Sequence, residues 1–223
     1  MNDRLHLYEE FMLLALHDDK GTVQIQYIEY AVAGCFLAEL LLEGRVSMDG
    51  SRRKIISLVS EEETGDPLLD DCLRMLSEFR KDRPLSHWIG KLCRQSDLRH
   101  RIARQLCRRR ILKGEEEKVL LFFTRRVYPE LNPVPEQEIV ERIRVALEQD
   151  SSPVDDKTVF LISLANETGV LRQTIGKADA KALKKRIKEL TSEECVGKAT
   201  GQLIAGVAAT VASSAAVAAA ASS

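Results

Sequence analysis

Apolar residues recur at helical spacing from the start of the chain. "LYEEFMLLALHDDKG" places Leu7, Phe11 and Leu14 on one face, flanked by Met12, Leu13, Ala15 and Leu16. This predicts a helix closed before Gly21. "YIEYAVAGCFLAELLLEGRV" predicts a second, more thoroughly apolar helix ending near Gly44. Its Gly34 sits in mid-helix at a cost of about 1 kcal/mol relative to alanine, so close backbone packing is expected there. Two strand-like runs around Asp49-Gly50 then predict a hairpin. "TGDPLLDDCLRMLSEF" reads as a helix capped by Thr64 or Asp66 before Pro67, and "PLSHWIGKL" as another, with Ser86 as its cap.

The segment 97–127 repeats the earlier order of helix, basic junction and two β-like runs, with Gly114 and three glutamates in the expected turn. Three prolines in "YPELNPVPEQE" interrupt regular structure. Helices are then expected in 136–148, 156–168 and 177–191. The 18 uncharged residues from Leu203 to Ala220 approach the length of a membrane span, but alanine supplies too little transfer energy, and a terminal helix packed on the body is expected instead. The domain reading is a single helical domain over 1–195, followed by an apolar small-residue helix or tail over 196–223.

Charge changes the picture locally. The whole chain carries a net −1, which predicts no bulk attraction to nucleic acid or anionic lipid. Between Lys91 and Arg126, however, twelve basic residues face four acidic ones. A helical wheel from Asp97 puts Leu98, Ile102, Ala103, Leu106 and Cys107 on an apolar face, with Arg101, Arg104 and Arg108 opposite, as a solvated face. Arg99, Arg109 and Arg110 fall on the apolar side, where a guanidinium needs an anion, a carboxylate or an exit to water. The run Val119 to Phe123 packs in the core, contacts membrane or joins a second subunit. Glutamates in the turn favour lateral over tip-first insertion.

Five cysteines without a C-x-x-C pair suit reduced thiols of a cytosolic protein, and the charged N-terminus is unlike a signal peptide. The four histidines lack metal-ligand spacing, and no nucleophile elbow or phosphate-binding glycine motif is present. Acidic pairs such as Glu9-Glu10 diverge across a helix. No catalytic residue, metal or cofactor is therefore expected. A winged-helix nucleic-acid binder stays open as an alternative, although Gln105 is the one residue of the basic helix suited to base edges. A plain protein-protein scaffold stays open too.

Taken in order, "LYEEFMLLALHDDKG", "AGCFLAELLLEGRV", "SRRK" with its following β-like run, "TGDPLLDDCL", "HWIGKL" and the arginine-rich helix leading into "VLLFF" resemble the Golgi phosphoprotein three family over roughly residues 5 to 190. The resemblance implies a mainly α fold, a compact bundle of amphipathic helices around an apolar central helix, with short β-hairpins. It also implies a non-enzymatic adaptor, peripheral on the cytosolic face of a membrane. In eukaryotic members a tryptophan and three arginines hold the phosphatidylinositol 4-phosphate headgroup beside a hydrophobic hairpin. Here Ala33 replaces one arginine, and "TVQIQYIEY" leaves Tyr27 as the aromatic. Another arginine falls on Ser96, with Arg94 close by, and the third is retained as Arg99. The implied headgroup set is Arg99, Arg94 and Tyr27, a partly degenerate site that suits a bacterial relative. Leu120, Leu121, Phe122 and Phe123 are the implied membrane or oligomer contact. The expected partners are anionic lipid and a second copy through the 110–124 hairpin, with no nucleic acid.

Overall fold

The computed structural model describes residues 4–16, 20–23, 28–79, 81–119, 123–148, 154–176, 183–190, 192 and 198–221. Helix α2 (Ile28–Leu42) is buried on every side from Ala31 to Leu40, as its lack of any polar face predicts. It packs against α1 (Leu7–Ala15), α4 (Leu85–Leu92), α7 (Asp156–Thr168) and the C-terminal α10 (Lys198–Ala221). Among the described residues the fold is mainly α with two small antiparallel sheets. A Cβ on Gly34 would lie 2.3 Å from Val207 Cγ1, so the mid-helix glycine admits α10 at close range. On α10 itself, Leu203, Ile204, Val207 and Val211 are buried. Among the described residues no helix is long and apolar enough to cross a membrane.

Strands β1 (Val46–Met48) and β2 (Ile55–Leu58) form the first hairpin, with Val46 opposite Leu58. Asp49 organises its turn: its Oδ1 accepts from Ile55 N at 2.7 Å and Ser51 Oγ at 2.8 Å. A two-residue strand, β3 (Arg83–Pro84), extends the sheet. Helix α3 (Pro67–Glu78) begins as its sequence predicts, Asp66 Oδ1 accepting from Leu68 N at 3.0 Å and Leu69 N at 2.9 Å. Pro84, rather than Ser86, precedes α4. After α5 (Leu98–Arg108) comes the second hairpin, β4 (Glu115–Val119) and β5 (Phe123–Val127). The chain continues through α6 (Val134–Glu148), α7, α8 (Val170–Thr174) and α9 (Lys184–Leu190) to α10.

All nine residues of α1 are buried, including Glu9 and Glu10. Each carboxylate reaches a cation from a later part of the chain: Glu9 Oε2 lies 2.8 Å from Arg109 Nη1, at the end of α5, and Glu10 Oε2 lies 2.5 Å from Arg142 Nη2 of α6. Glu39 of α2 is equally buried and pairs with Lys157 of α7. Adjacent glutamates diverge across the helix as expected, and their divergence ties α1 to two different helices. Breaking such buried pairs is costly because a charge is left without its partner.

His6, at the N-terminus of α1, places Nδ1 3.3 Å from Glu39 Oε1 and Nε2 3.9 Å from Asp66 Oδ2. Burial lowers its pKa, but the hydrogen bond and charge of Glu39, then Asp66 and Glu9, outweigh burial and raise it on balance. A raised folded-state value stabilises the fold fully below the ordinary histidine pKa of about 6.5, and this stability is lost as pH rises through the folded value. Urea midpoints should therefore fall as pH is raised from 6 to 9, and His6→Gln should flatten that segment of the profile. An unchanged slope in the variant would assign the dependence to other groups.

Candidate functional site

The second hairpin differs from the expected register, and the difference relocates its apolar residues. Glu115, Glu116 and Glu117 lie in β4 opposite Val127, Arg126 and Arg125, and the last paired residues are Val119 and Phe123. The glutamates are therefore strand residues, with Arg125 Nη2 donating to Glu117 Oε2 at 2.6 Å. Glu115 to Glu117 and Thr124 to Arg126 make the stem charged and exposed, with Val127 buried at its foot. A hydrophobic run read by itself resembles a strand; here opposite charges pair across the ladder, and the run straddles the connection. Leu120, Leu121 and Phe122, the three residues joining the strands, lie outside the described residues, while Phe123 opens β5.

At the base of this hairpin lies a cavity of about 550 Å³, lined on one side by Asp97, Arg99 and His100 of the α5 start and on another by Glu116 and Thr124 to Arg126. Tyr128 and Gly21 also line it. Arg99 is exposed and, among the described residues, makes no side-chain hydrogen bond or ion pair. Its position in the first turn of α5 gives the exit to water that the wheel alone leaves undecided. Asp97 precedes the helix in the left-handed region, at φ 56°. His100 Nδ1 is 3.0 Å from Tyr128 Oη. Burial lowers the His100 pKa, and Arg99, Arg126 and Arg104 lower it further against the opposing effect of Asp97.

Gly21 closes the cavity from the α1 side. It adopts φ +55°, and a Cβ there would lie 2.1 Å from Pro129 N and 2.2 Å from the Tyr128 carbonyl carbon. Tyr128 N donates to Gly21 O at 2.9 Å. Glycine alone permits this approach of one backbone to another.

Arg94 is exposed beyond α4 and is absent from the cavity lining; its Nη2 lies 3.8 Å from the point a Cβ on Gly90 would occupy. Tyr27 lies outside the described residues. Ala33 is fully buried in α2. Arg125 and Arg126 are the site residues that sequence reasoning misses; their signal is the match of three glutamates with two arginines at equal distances from "LLF". The expected solvated face also divides, since Arg101 pairs with Asp71 of α3 and takes Gln95 Oε1 at 3.0 Å, whereas Arg104 and Arg108 are exposed.

Gln105 is turned inward, its amide donating to Asp66 Oδ2 at 2.5 Å and Tyr8 Oη at 2.7 Å. That occupies the residue on which direct base readout by α5 depends. His6, Glu39 and Glu43 offer ligand atoms within 4.8 Å of one another, but Glu39 already accepts from Leu7 N at 2.8 Å, from Lys157 and from His6. Its donors leave little capacity for an ion.

Residues 7–207 match a family profile described as Golgi phosphoprotein 3 (GPP34). Vacuolar protein sorting-associated protein 74 of Schizosaccharomyces pombe is 31% identical over 142 residues, a match that covers 53% of this chain and 41% of that protein's length.

Proposed function

We propose a function from one premise: the chain belongs to the Golgi phosphoprotein 3 (GPP34) family. The protein is a non-enzymatic peripheral adaptor that docks on anionic phospholipid at the cytosolic face of a membrane. Arg99 binds the headgroup, and the apolar residues joining β4 to β5 enter the interface or meet a second copy. The carrying observation is the exposed Arg99, without an ion pair among the described residues, in a cavity at the base of a hairpin with a charged stem. A cation held for structure would be expected to face a carboxylate, as Arg109 faces Glu9.

The cavity sets the kind of recognition. Its lining holds three arginines and two carboxylates, with Arg125 engaged by Glu117. Two arginines, Arg99 and Arg126, have no side-chain hydrogen bond or ion pair among the described residues, which suits graded attraction to phosphate more than stereospecific capture by several charge-assisted donors. Preference for a phosphatidylinositol 4-phosphate-like headgroup is accordingly modest. Because the glutamates belong to the stem, they do not oppose tip-first entry of Leu120 to Phe122.

Vesicle sedimentation of Arg99→Glu beside the wild type tests this reading. Each well-placed basic residue contributes about 1 kcal/mol near an anionic surface, so reversal should weaken binding by roughly tenfold or more while the melting temperature stays unchanged. Equal binding by both proteins would remove Arg99 from the contact.

A further inference from the structure

A second cavity, of about 590 Å³, opens at the other end of α5. Arg4, Arg108, Arg109, Arg110 and Arg142 line it, against Glu10 and Glu138. Arg109 and Arg142 are engaged by Glu9 and Glu10. Arg4, Arg108 and Arg110 are exposed and, among the described residues, have no side-chain hydrogen bond or ion pair. Five arginines over two carboxylates make this cavity more strongly positive than the one at Arg99, where three face two.

The backbone marks the same place. Arg110 follows the end of α5 in the left-handed region, at φ 58°, and Ile111 N closes back on Leu106 O at 3.0 Å. Glycine is the usual residue there. An arginine accepts the strain of that conformation and places a cation where a helix needs none beyond Arg108 and Arg109.

Two exposed apolar residues adjoin the cavity lining in sequence, Leu131 next to Asn132 and Val134 next to Pro135. Leu131 is 56% exposed and Val134 51%. Leu131 N and Asn132 N both donate to Ile111 O, at 2.9 and 3.1 Å, which fixes this loop next to Arg110. Asn132 and Pro135 line the cavity itself. Cations with apolar residues at their rim are the composition of a surface that settles at the headgroup boundary.

We propose that this arginine-lined cavity is a second contact for anionic lipid headgroups, with Leu131 and Val134 entering the interface beside it. The inference rests on the membrane-docking reading above. One cavity is lined by β4 and β5 themselves, the other by Ile111 and Asn132, which lie just beyond the Leu112–Glu130 bridge at the foot of the hairpin. Arg99 and Arg108 lie nine positions apart on α5, roughly 14 Å along the axis, so one helix carries a residue of each contact.

The test compares wild type, Arg108→Glu/Arg110→Glu, Arg110→Gly and Arg99→Glu by sedimentation with phosphatidylcholine vesicles containing phosphatidylserine, with circular dichroism as the folding control. The double variant is expected to bind about tenfold more weakly or worse. Arg110→Gly is expected to melt at higher temperature yet bind more weakly, a combination that lost structure cannot produce. Wild-type binding by both Arg110 variants, with loss in Arg99→Glu, would overturn this proposal and leave the docking reading intact. Failure of the wild type itself to bind would overturn both. Thermal stabilisation of the wild type by inorganic phosphate that the double variant loses, with its vesicle binding intact, would assign the cavity to a soluble anion and overturn the lipid contact.

Discussion

Glu39→Ala is expected to lower the unfolding free energy by about 3–5 kcal/mol, the range for removing one partner of a buried ion pair. Glu39 is fully buried, and its carboxylate does three things at once. It accepts from Leu7 N at 2.8 Å, so it satisfies a donor in the first turn of α1 that has no intrahelical partner. It pairs with Lys157 of α7 and holds His6 at 3.3 Å. Burial raises its pKa, but hydrogen bonds from His6, Lys157 and Leu7 N outweigh burial and lower it on balance. The carboxylate's contribution is thus present above the ordinary glutamate value and lost as pH falls through the lowered one. Glu39→Gln, which keeps the shape and an acceptor, should lose distinctly less. Urea midpoints for the two variants check this, and a loss under 1 kcal/mol in Glu39→Ala would mean that the three donors find other partners.

Gly21→Val is expected to cost roughly 3 kcal/mol, from a side chain in the left-handed region and a clash that only backbone movement can relieve. The atoms met are the Pro129 N and the Tyr128 backbone, at 2.1 to 2.4 Å from the added Cβ. The melting temperature of a chain this size should fall by roughly 6–12 °C. The damage is directed: residues 20–23 leave the end of β5, Tyr128 N loses its acceptor, and the cavity at Arg99 loses one wall. Vesicle binding should drop more in Gly21→Val than in Gly34→Leu, which strains the α2–α10 contact away from the cavity. Equal losses in the two would show that binding follows global stability alone.

What was legible in the sequence was what is local. Asp66 before Pro67 caps α3 because a side-chain oxygen two or three residues from an orphan N–H reaches it in any context. Gly34 announced a close approach, though not that Val207 makes it, since the partner lies far along the chain. The register of the second hairpin is not legible because Glu115 to Glu117 and Thr124 to Arg126 are exposed and show no apolar alternation, while cross-strand charge sets the pairing. Strand β3 is not legible in the sequence because two residues, one a proline, carry no pattern.

The site was legible only in part. Arg99 could be singled out by its position in the first turn, and the family resemblance pointed to the same residue. The wheel could not separate Arg101 from Arg104, because Asp71, which engages Arg101, lies 30 residues away on α3. It also could not show that Arg108, Arg109 and Arg110 gather with arginines from outside the basic segment at the far end of α5. Arg4 and Arg142 reach that cavity through the N-terminal segment and α6, which are distant in sequence and adjacent only in the fold.

The account stands most directly on partitioning of the wild-type protein between buffer and vesicles of three compositions: phosphatidylcholine alone, with phosphatidylserine, and with phosphatidylinositol 4-phosphate at matched charge, each at two salt concentrations. The predicted result is binding to both anionic compositions, weakened by salt, with only a modest advantage for the phosphoinositide and no binding to phosphatidylcholine alone. Absence of binding to either anionic vesicle at the lower salt would contradict it.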